Sequence, residues 1–408
     1  METEIRERLL SGYKVLDFTQ YLAGPAATRL MVEMGAEVIK VELAPRGDNT
    51  RATAYVKNGR SGYFVQQNCG KKSLCVDVRT EAGKNVVKEL IGKMDVLIEN
   101  FAPGAIGRMG FDYEAVKAIN PRLVMCSISA FGQNGPLASL PGFDYIGAAY
   151  AGVLDLVGMP QEPPVMLGLS LGDNLTGLCA LSAILAALLY RERSNKGQFI
   201  DVSLLDSYFQ SHDMAVQFAS ASAGQSLRKR AGRRDPNVVP VGIFKSKEHY
   251  VAILAPGDHQ WKPLCEAIGR PELGDDPRFT RSAERVKRAD EVYSLIQQWF
   301  DSVSEEEAAL RRLEQYRVPV APLLTVPEAM RHPHLVQRGT IRPVNDPILG
   351  KLELPGSPLR FSDFPPRSGL EAPLLGEHNL EILRDYLGYS PAQVSQLHSQ
   401  GVLVKKPV

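Results

Sequence analysis

The sequence predicts an α/β protein with a parallel, doubly wound sheet followed by a smaller α/β module. Three observations carry this. Strand-like and helix-like segments alternate over the first 130 residues, the hydrophobic pattern changes after Pro163 and again after Ser220, and the composition is that of an ordinary globular chain. It has 408 residues, 44% of them hydrophobic and 23% charged.

Tyr13–Thr19 reads as a buried strand, Ala23–Pro25 as a turn, and Ala26–Met34 as a helix stopped by Gly35. Glu37–Glu42 then completes a strand–helix–strand unit. Asp95–Glu99, Tyr113–Ile119 and Leu123–Ser129 repeat the order. A loop, Gly168–Gly172, leads through Asp173 into a long apolar helix that ends at Arg191–Arg193. Ser220–Pro236, with Arg228, Lys229, Arg230, Arg233 and Arg234, reads as a solvated connection. Beyond it, Val238–Leu254 reads as short strands, and 259–270, 283–301 and 304–316 read as helices. The last is opened by a capping box of Ser304 and Glu307. Proline-rich turns from Val318 to Asp346 read as a return linker, and Pro373–Asn379 leads into a final helical pair.

Several function classes lose support at once. Lys and Arg total 47 against 46 Asp and Glu, so the basic footprint of nucleic-acid binding is missing. The N-terminus is charged and lacks an apolar core, so no secretory signal is expected. The most apolar stretch, Leu175–Tyr190, falls short of the about 20 residues a membrane span needs, so none is expected. Cys69, Cys75, Cys126, Cys179 and Cys265 are scattered, which fits a reducing cytoplasm rather than a disulfide or zinc framework. His332 and His334 flank Pro333, and no HExxH, GxGxxG or GxxxxGK[ST] occurs, so no metal and neither dinucleotide nor Walker-type chemistry is expected.

Asp173 is the focal residue, and two readings of it stand. It can cap the helix that follows, or it can attack an activated carbonyl, with Gly172 and Gly177 allowing close substrate approach and free backbone N–H groups for an oxyanion. Asn100–Gly104 and Arg108 follow a strand, at the usual ligand edge of such a sheet. There Phe101 could stack on a base and Arg108 could hold a phosphate. Lys71, Lys72 and Arg79 form a solvated face or, if they share that edge, a second phosphate site. His378 reads as a turn or capping residue.

Taken in order, Val15–Thr19, Ala23–Pro25, Gly35–Glu42, Glu99–Gly104, Arg108–Gly110, Gly172–Asp173, Lys196–Gln198 and Leu375–His378 resemble the class III CoA-transferases, the CaiB/BaiF family, over nearly the whole chain. The resemblance implies a large Rossmann-like domain made from both chain ends, a small α/β domain, and an interlocked homodimer. The expected boundaries are 1–205, a linker 206–236, the small domain 237–325, a linker 326–350, and 351–408 closing the large domain. It implies that Asp173 is the nucleophile, passing through an aspartyl mixed anhydride and an aspartyl-CoA thioester. It also implies that Gln20, Tyr21 and Leu22 lie near the thioester and that Val76, Arg79, Asn100, Phe101 and Arg108 hold CoA. No tightly bound cofactor is implied; coenzyme A thioesters and carboxylic acids are the substrates, with a paralogous subunit as an alternative partner.

Departures bear on the substrate. Formyl-CoA transferase has His at the position of Gln20, Arg at Leu43, and Lys and Tyr at Ser129 and Phe131, and its glycine run has no counterpart between Ala231 and Trp261. Tyr21, Leu22 and Phe131 suit a larger, aromatic or branched acid, and the pattern is similar to benzylsuccinate CoA-transferase with succinyl-CoA as donor. The rival readings are an α-methylacyl-CoA racemase and a non-catalytic CoA-binding subunit. The racemases have a His-Asp pair where this chain has Phe143-Asp144, and Phe143 cannot carry a proton.

Overall fold

A computed structural model describes residues 8–406. Residues 1–7, most of the segment read above for a secretory signal, lie outside it. The chain runs β1 (Lys14–Asp17), α1 (Ala23–Glu33), β2 (Glu37–Leu43), a hairpin of β3 (Val56–Lys57) and β4 (Arg60–Ser61), α2 (Gly62–Asn68), β5 (Lys72–Val76) and α3 (Glu81–Ile91). It continues through β6 (Val96–Glu99), α4 (Ala105–Arg108), α5 (Tyr113–Ile119), β7 (Val124–Ser129), α6 (Asp144–Tyr150), α7 (Leu171–Ser194), β8 (Phe199–Ser203) and α8 (Leu204–Gln210).

Six of these strands form one parallel sheet in the order β5-β2-β1-β6-β7-β8. Val15, Leu16, Val38, Ile39, Val96, Leu97, Ile98 and Val124 are wholly or almost wholly buried, as a parallel sheet covered on both faces requires. The strand order reverses between β1 and β6, and the crevice at their carboxyl ends is the expected ligand position.

Two element boundaries differ from expectation. Ala23–Pro25 is not a turn but the first turn of α1, where Pro25 is tolerated because the first N–H groups of a helix have no internal partner. Helix α7 begins at Leu171, two residues before Asp173, and runs for 24 residues. It is long and apolar enough to span a bilayer by length and composition, yet it packs on α1 and β7, where Ala180, Leu181, Ile184 and Leu188 are buried. A Cβ on Gly177 would stand 2.6 Å from the Ala23 carbonyl, so this glycine serves the contact between α7 and α1 rather than a substrate.

Charged groups are buried beneath the same edge. Asp17 pairs with Lys71 at 2.9 Å, Lys40 with Asp48 at 2.7 Å, and Glu42 with Arg51 at 2.6 Å.

Residues 154–166 and 214–336 form a second compact unit. It holds α9 (Ala215–Ala221), β9 (Val241–Lys245), β10 (Tyr250–Leu254), α10 (Asp258–Ala267), α11 (Ser282–Lys287), α12 (Ala289–Ser302), α13 (Glu306–Gln315), β11 (Val320–Pro322), α14 (Val326–Arg331) and most of α15 (Pro333–Gln337). Its three strands pair antiparallel in the order β11-β10-β9, and Trp261, Tyr293 and Phe300 fill its core.

The expected capping box is absent. Helix α13 starts at Glu306, whose carboxylate accepts the backbone N–H groups of Glu248 and His249, and Glu307 instead pairs with Arg311. The proline-rich stretch is not a plain linker: Pro322 lies in an edge strand and Pro327 and Pro333 in first helical turns, positions where proline costs no hydrogen bond.

The chain then returns to the first unit as a ribbon of β12 (Ile341–Asp346) and β13 (Gly350–Pro355), followed by α16 (Asn379–Leu387) and α17 (Pro391–Ser399). Ile382, Leu383, Val394 and Leu403 share a core cluster with Leu74 and Val76. His378 acts at this junction, its Nδ1 accepting the Ser73 N–H at 3.2 Å.

Candidate active site

The site forms where β1 and β6 end. Lys40 donates to the Thr19 carbonyl at 2.7 Å, and Asp17 accepts from the Thr19 N–H and hydroxyl, which fixes the chain leaving β1. Asn100, immediately after β6, closes the other side: its Oδ1 accepts the Gln20 N–H at 2.8 Å and its Nδ2 donates to the Gln20 carbonyl at 2.7 Å. The Gln20 side-chain oxygen accepts from Asn49 at 3.0 Å, so its amide nitrogen remains an available donor. Tyr21 adopts φ +63°, a strained conformation for a bulky residue that costs about 1–3 kcal/mol. Its exposed ring stands edge-on to Phe143 at 5.9 Å. Leu22, the N-cap of α1, is buried.

Asp173 is the third residue of α7, one turn before Gly177 and so on the face that meets α1. The capping reading fails: the N-cap is Ser170, and no hydrogen bond or ion pair reaches the Asp173 carboxylate among the described residues. Other groups cap the helix. The Asp173 N–H donates to Asp144 Oδ1 at 2.8 Å, the Gly172 N–H donates to the Tyr208 hydroxyl at 3.0 Å, and that hydroxyl donates to Asp144 Oδ2 at 2.9 Å. These amides are therefore occupied and do not form an oxyanion site.

Gly172 is present for a related reason. A Cβ there would lie 2.0 Å from the Tyr208 ring and 2.6 Å from Asp144 Oδ1. Burial, with the Asp144 charge adding to it, pushes the Asp173 carboxyl up to about 7. Tyr63, on α2, lies within the field of both Asp173 and Asp48. Burial foremost, and then those two charges, hold its phenol up at about 12, so it is a neutral donor.

The remaining predicted residues divide. The Phe101 N–H donates to Glu99 Oε2 at 2.7 Å, and burial pushes the Glu99 carboxyl up to about 7. Arg108, at the end of α4, is exposed and its guanidinium has no partner among the described residues. Gln20, Tyr21, Leu22, Asn100 and Phe101 are thus gathered where the strand order reverses.

Val76 and Arg79 stand at the end of β5, two strands from β1. The Val76 side chain is fully buried and its carbonyl accepts the Ala44 N–H. Arg79 is exposed and forked onto Asp77 at 2.8 and 2.7 Å. The basic cluster of Lys71, Lys72 and Arg79 does not exist as a phosphate site. Lys71 is buried against Asp17, Lys72 pairs with Glu37 and Glu381 at the start of β5, and Arg79 follows its other end.

Sequence reasoning missed Tyr63 and Tyr208, which no motif marks, and it weighed Asp144 only as half of a racemase pair. No group of three His, Cys, Asp or Glu residues is placed to hold a metal among the described residues.

Residues 10–379 match the sequence profile of CoA-transferase family III. A succinyl-CoA:glutarate CoA-transferase of Mus musculus is 35% identical over 97% of this chain and 90% of its own length. A formyl-CoA:oxalate CoA-transferase of Streptomyces coelicolor is 34% identical over 97% of this chain and 99% of its own. The crystal structure of a CAIB/BAIF family protein from Brucella suis superposes with a TM-score of 0.82 at 33% identity, covering 93% of this chain and all of that one.

Proposed function

This chain belongs to CoA-transferase family III and is a CoA-transferase, and from that premise we propose that Asp173 is the residue through which CoA moves from an acyl-CoA donor to a free carboxylic acid. The observation that carries this is the state of the Asp173 carboxylate, which is half-buried and free of hydrogen bonds because Asp144 and Tyr208 cap its helix. A desolvated carboxylate with a raised proton affinity is a better nucleophile than one in water.

A carboxylate oxygen of Asp173 attacks the thioester carbonyl carbon, the C–S bond breaks, and CoA leaves as the thiolate. The thiolate then attacks the aspartyl carbonyl of the mixed anhydride and releases the donor acid. The acceptor carboxylate attacks the aspartyl thioester, forming a second anhydride and freeing the thiolate again. The thiolate finally attacks the acceptor's acyl carbon, giving the new acyl-CoA and restoring Asp173. Each step exchanges one activated acyl bond for another, so positioning and exclusion of water are the main tasks. With the amides of Gly172 and Asp173 occupied, the Gln20 amide nitrogen and the neutral Tyr63 hydroxyl are the donors that suit the developing oxyanion.

Asn100 orders the binding loop for CoA, Phe101 offers a stacking face, and the unpaired Arg108 suits a phosphate. Arg79 reaches a phosphate only by leaving Asp77. Succinyl-CoA is the donor we favour, as in the name of the mouse relative. The edge-on pairs Tyr21–Phe143 and Phe131–Tyr150 favour an acceptor with an apolar, aromatic or branched body, such as benzylsuccinate, over oxalate. A cytoplasmic homodimer completes the reading. It is supported by five free cysteines and by the exposed apolar side chains Leu178, Leu189 and Tyr190 on α7.

The test incubates the protein with succinyl-CoA and a panel of carboxylic acids, follows new thioesters by mass spectrometry, and traps the enzyme with hydroxylamine. A hydroxamate at Asp173 and loss of exchange in Asp173→Asn are expected; undiminished exchange in that variant would overturn the nucleophile.

A further inference from the structure

An aspartate three residues into a helix ordinarily folds back to satisfy the free N–H groups of the first turn. In α7 that work is done by side chains from two other helices. Asp144, from α6, accepts the Asp173 N–H through Oδ1 and the Tyr208 hydroxyl through Oδ2. The Tyr208 hydroxyl, from α8, in turn accepts the Gly172 N–H. Asp144 is 4% exposed and Tyr208 3% exposed, so the arrangement is fixed by packing as well as by bonding. The remaining first-turn amides bond locally, Leu171 to the Leu169 carbonyl and Asn174 to the Ser170 carbonyl. The amides of Leu171, Gly172, Asp173 and Asn174 thus all have partners other than the Asp173 carboxylate.

We propose that Asp144 is a positioning residue for the transfer reaction, capping α7 in place of Asp173 so that the Asp173 carboxylate stays unbonded and available to the thioester. The proposal rests on Asp173 being the nucleophile. Asp144 acts in two ways, through geometry by holding the Asp173 backbone and through charge by facing the Asp173 carboxylate. The ionisable groups that face Asp173 are Asp144 from α6, Tyr208 from α8 and Tyr63 from α2, with no cation paired to it among the described residues. Of these, Asp144 adds to the effect of burial in raising the proton affinity of Asp173.

The test compares the pH dependence of the acylation rate with succinyl-CoA in wild type, Asp144→Asn and Tyr208→Phe, with the Asp173 hydroxamate quantified in each. Asp144→Asn keeps an oxygen acceptor for the Asp173 N–H and removes the charge. Its acid limb is expected to move to lower pH by about one unit, while the hydroxamate still forms at Asp173. Tyr208→Phe keeps the charge and loses the bridge to Gly172, so its plateau rate is expected to drop by about tenfold or more with the acid limb near its wild-type position. An unchanged acid limb in Asp144→Asn with the hydroxamate still at Asp173 would overturn the charge role of Asp144, and a wild-type plateau in Tyr208→Phe would overturn the capping role; either result leaves the nucleophile standing. Absence of any adduct at Asp173 in the wild type would overturn the nucleophile itself. Should Asp144→Asn fold poorly, the plateau and acid limb of Tyr208→Phe decide: wild-type values for both would overturn the proposal.

Discussion

Replacing Gly172 by alanine tests how tightly Asp173, the proposed nucleophile, is held. The added methyl carbon would stand 2.0 Å from Tyr208 Cε2, 2.5 Å from Cζ and 2.6 Å from Asp144 Oδ1. Carbon atoms settle near about 3.5 Å, so the ring and the helix terminus must part by about 1.5 Å. Tyr208 is almost fully buried and cannot retreat freely. Overpacking of this kind costs about 1–3 kcal/mol. Parting the ring from α7 also strands the buried Gly172 N–H, for a further roughly 1–3 kcal/mol, against about 1 kcal/mol regained from alanine's helix propensity. The net loss is about 3 kcal/mol, or a Tm lowered by roughly 6–12 °C in a unit of this size.

Moving Asp173 by about 1 Å should also cost about a hundredfold in kcat for transfer from succinyl-CoA. Gly197→Ala serves as the control. Its Cβ would strike the Leu123 carbonyl at 2.0 Å, between the end of α7 and the start of β8, away from Asp173. It should lose comparable stability and keep its kcat. If Gly172→Ala keeps the wild-type kcat, or if Gly197→Ala loses as much activity, the packing around Tyr208 does not position Asp173.

Lys71→Met should destabilise the fold by about 3–5 kcal/mol in urea unfolding, because it leaves the buried Asp17 carboxylate without its nearest cation. Burial works against ionisation of Asp17, but Lys71 and Lys40 hold it at about 2. Its stabilising contribution is therefore present above the unfolded value near about 3.9 and is lost as pH falls towards 2, so the variant should acid-unfold at higher pH than wild type. In the second unit, His249 lies between Glu328 and Glu306, and hydrogen bonds to these carboxylates raise its pKa. That contribution is complete below the unfolded histidine value of about 6.5 and is lost as pH rises through the folded one, so His249→Gln should flatten the fall of Tm with pH on the alkaline side. Arg108→Ala should raise KM for acyl-CoA about tenfold and leave kcat and Tm unchanged, and an unaltered KM would remove it from the CoA site.

Much of the frame was legible in the residues. The alternation of Val, Ile and Leu runs with helical periods located β1, β2, β6, β7 and α5 to within a residue or two, because a buried parallel strand and a half-buried helix bury side chains with different periods. Asp173 and Asn100 stood out for a related reason, each lying at the junction of an apolar run and a glycine-containing loop. Strand β5 and helix α3 were missed: the polar start of the strand at Lys72 and Ser73 and the charged exterior of the helix hid their apolar faces. The basic cluster of Lys71, Lys72 and Arg79 was misread because adjacency in sequence says nothing about which end of a strand, or which side of a sheet, a side chain takes.

By itself the sequence determined part of the local alphabet of this protein: the strands β1, β2, β6 and β7, the helix α5, and the presence of an aspartate at the head of its long apolar helix. These follow from short-range periodicity and backbone preference. Only the tertiary structure decided that the Asp173 carboxylate is left without a hydrogen-bond partner among the described residues. Its helix is capped by Asp144, 29 residues earlier, and Tyr208, 35 residues later, and its neighbour Gly172 is small because a tyrosine ring lies against it. Those groups meet through packing between α6, α7 and α8, and a hydrogen bond made across such distances in the chain leaves no period or spacing in the sequence.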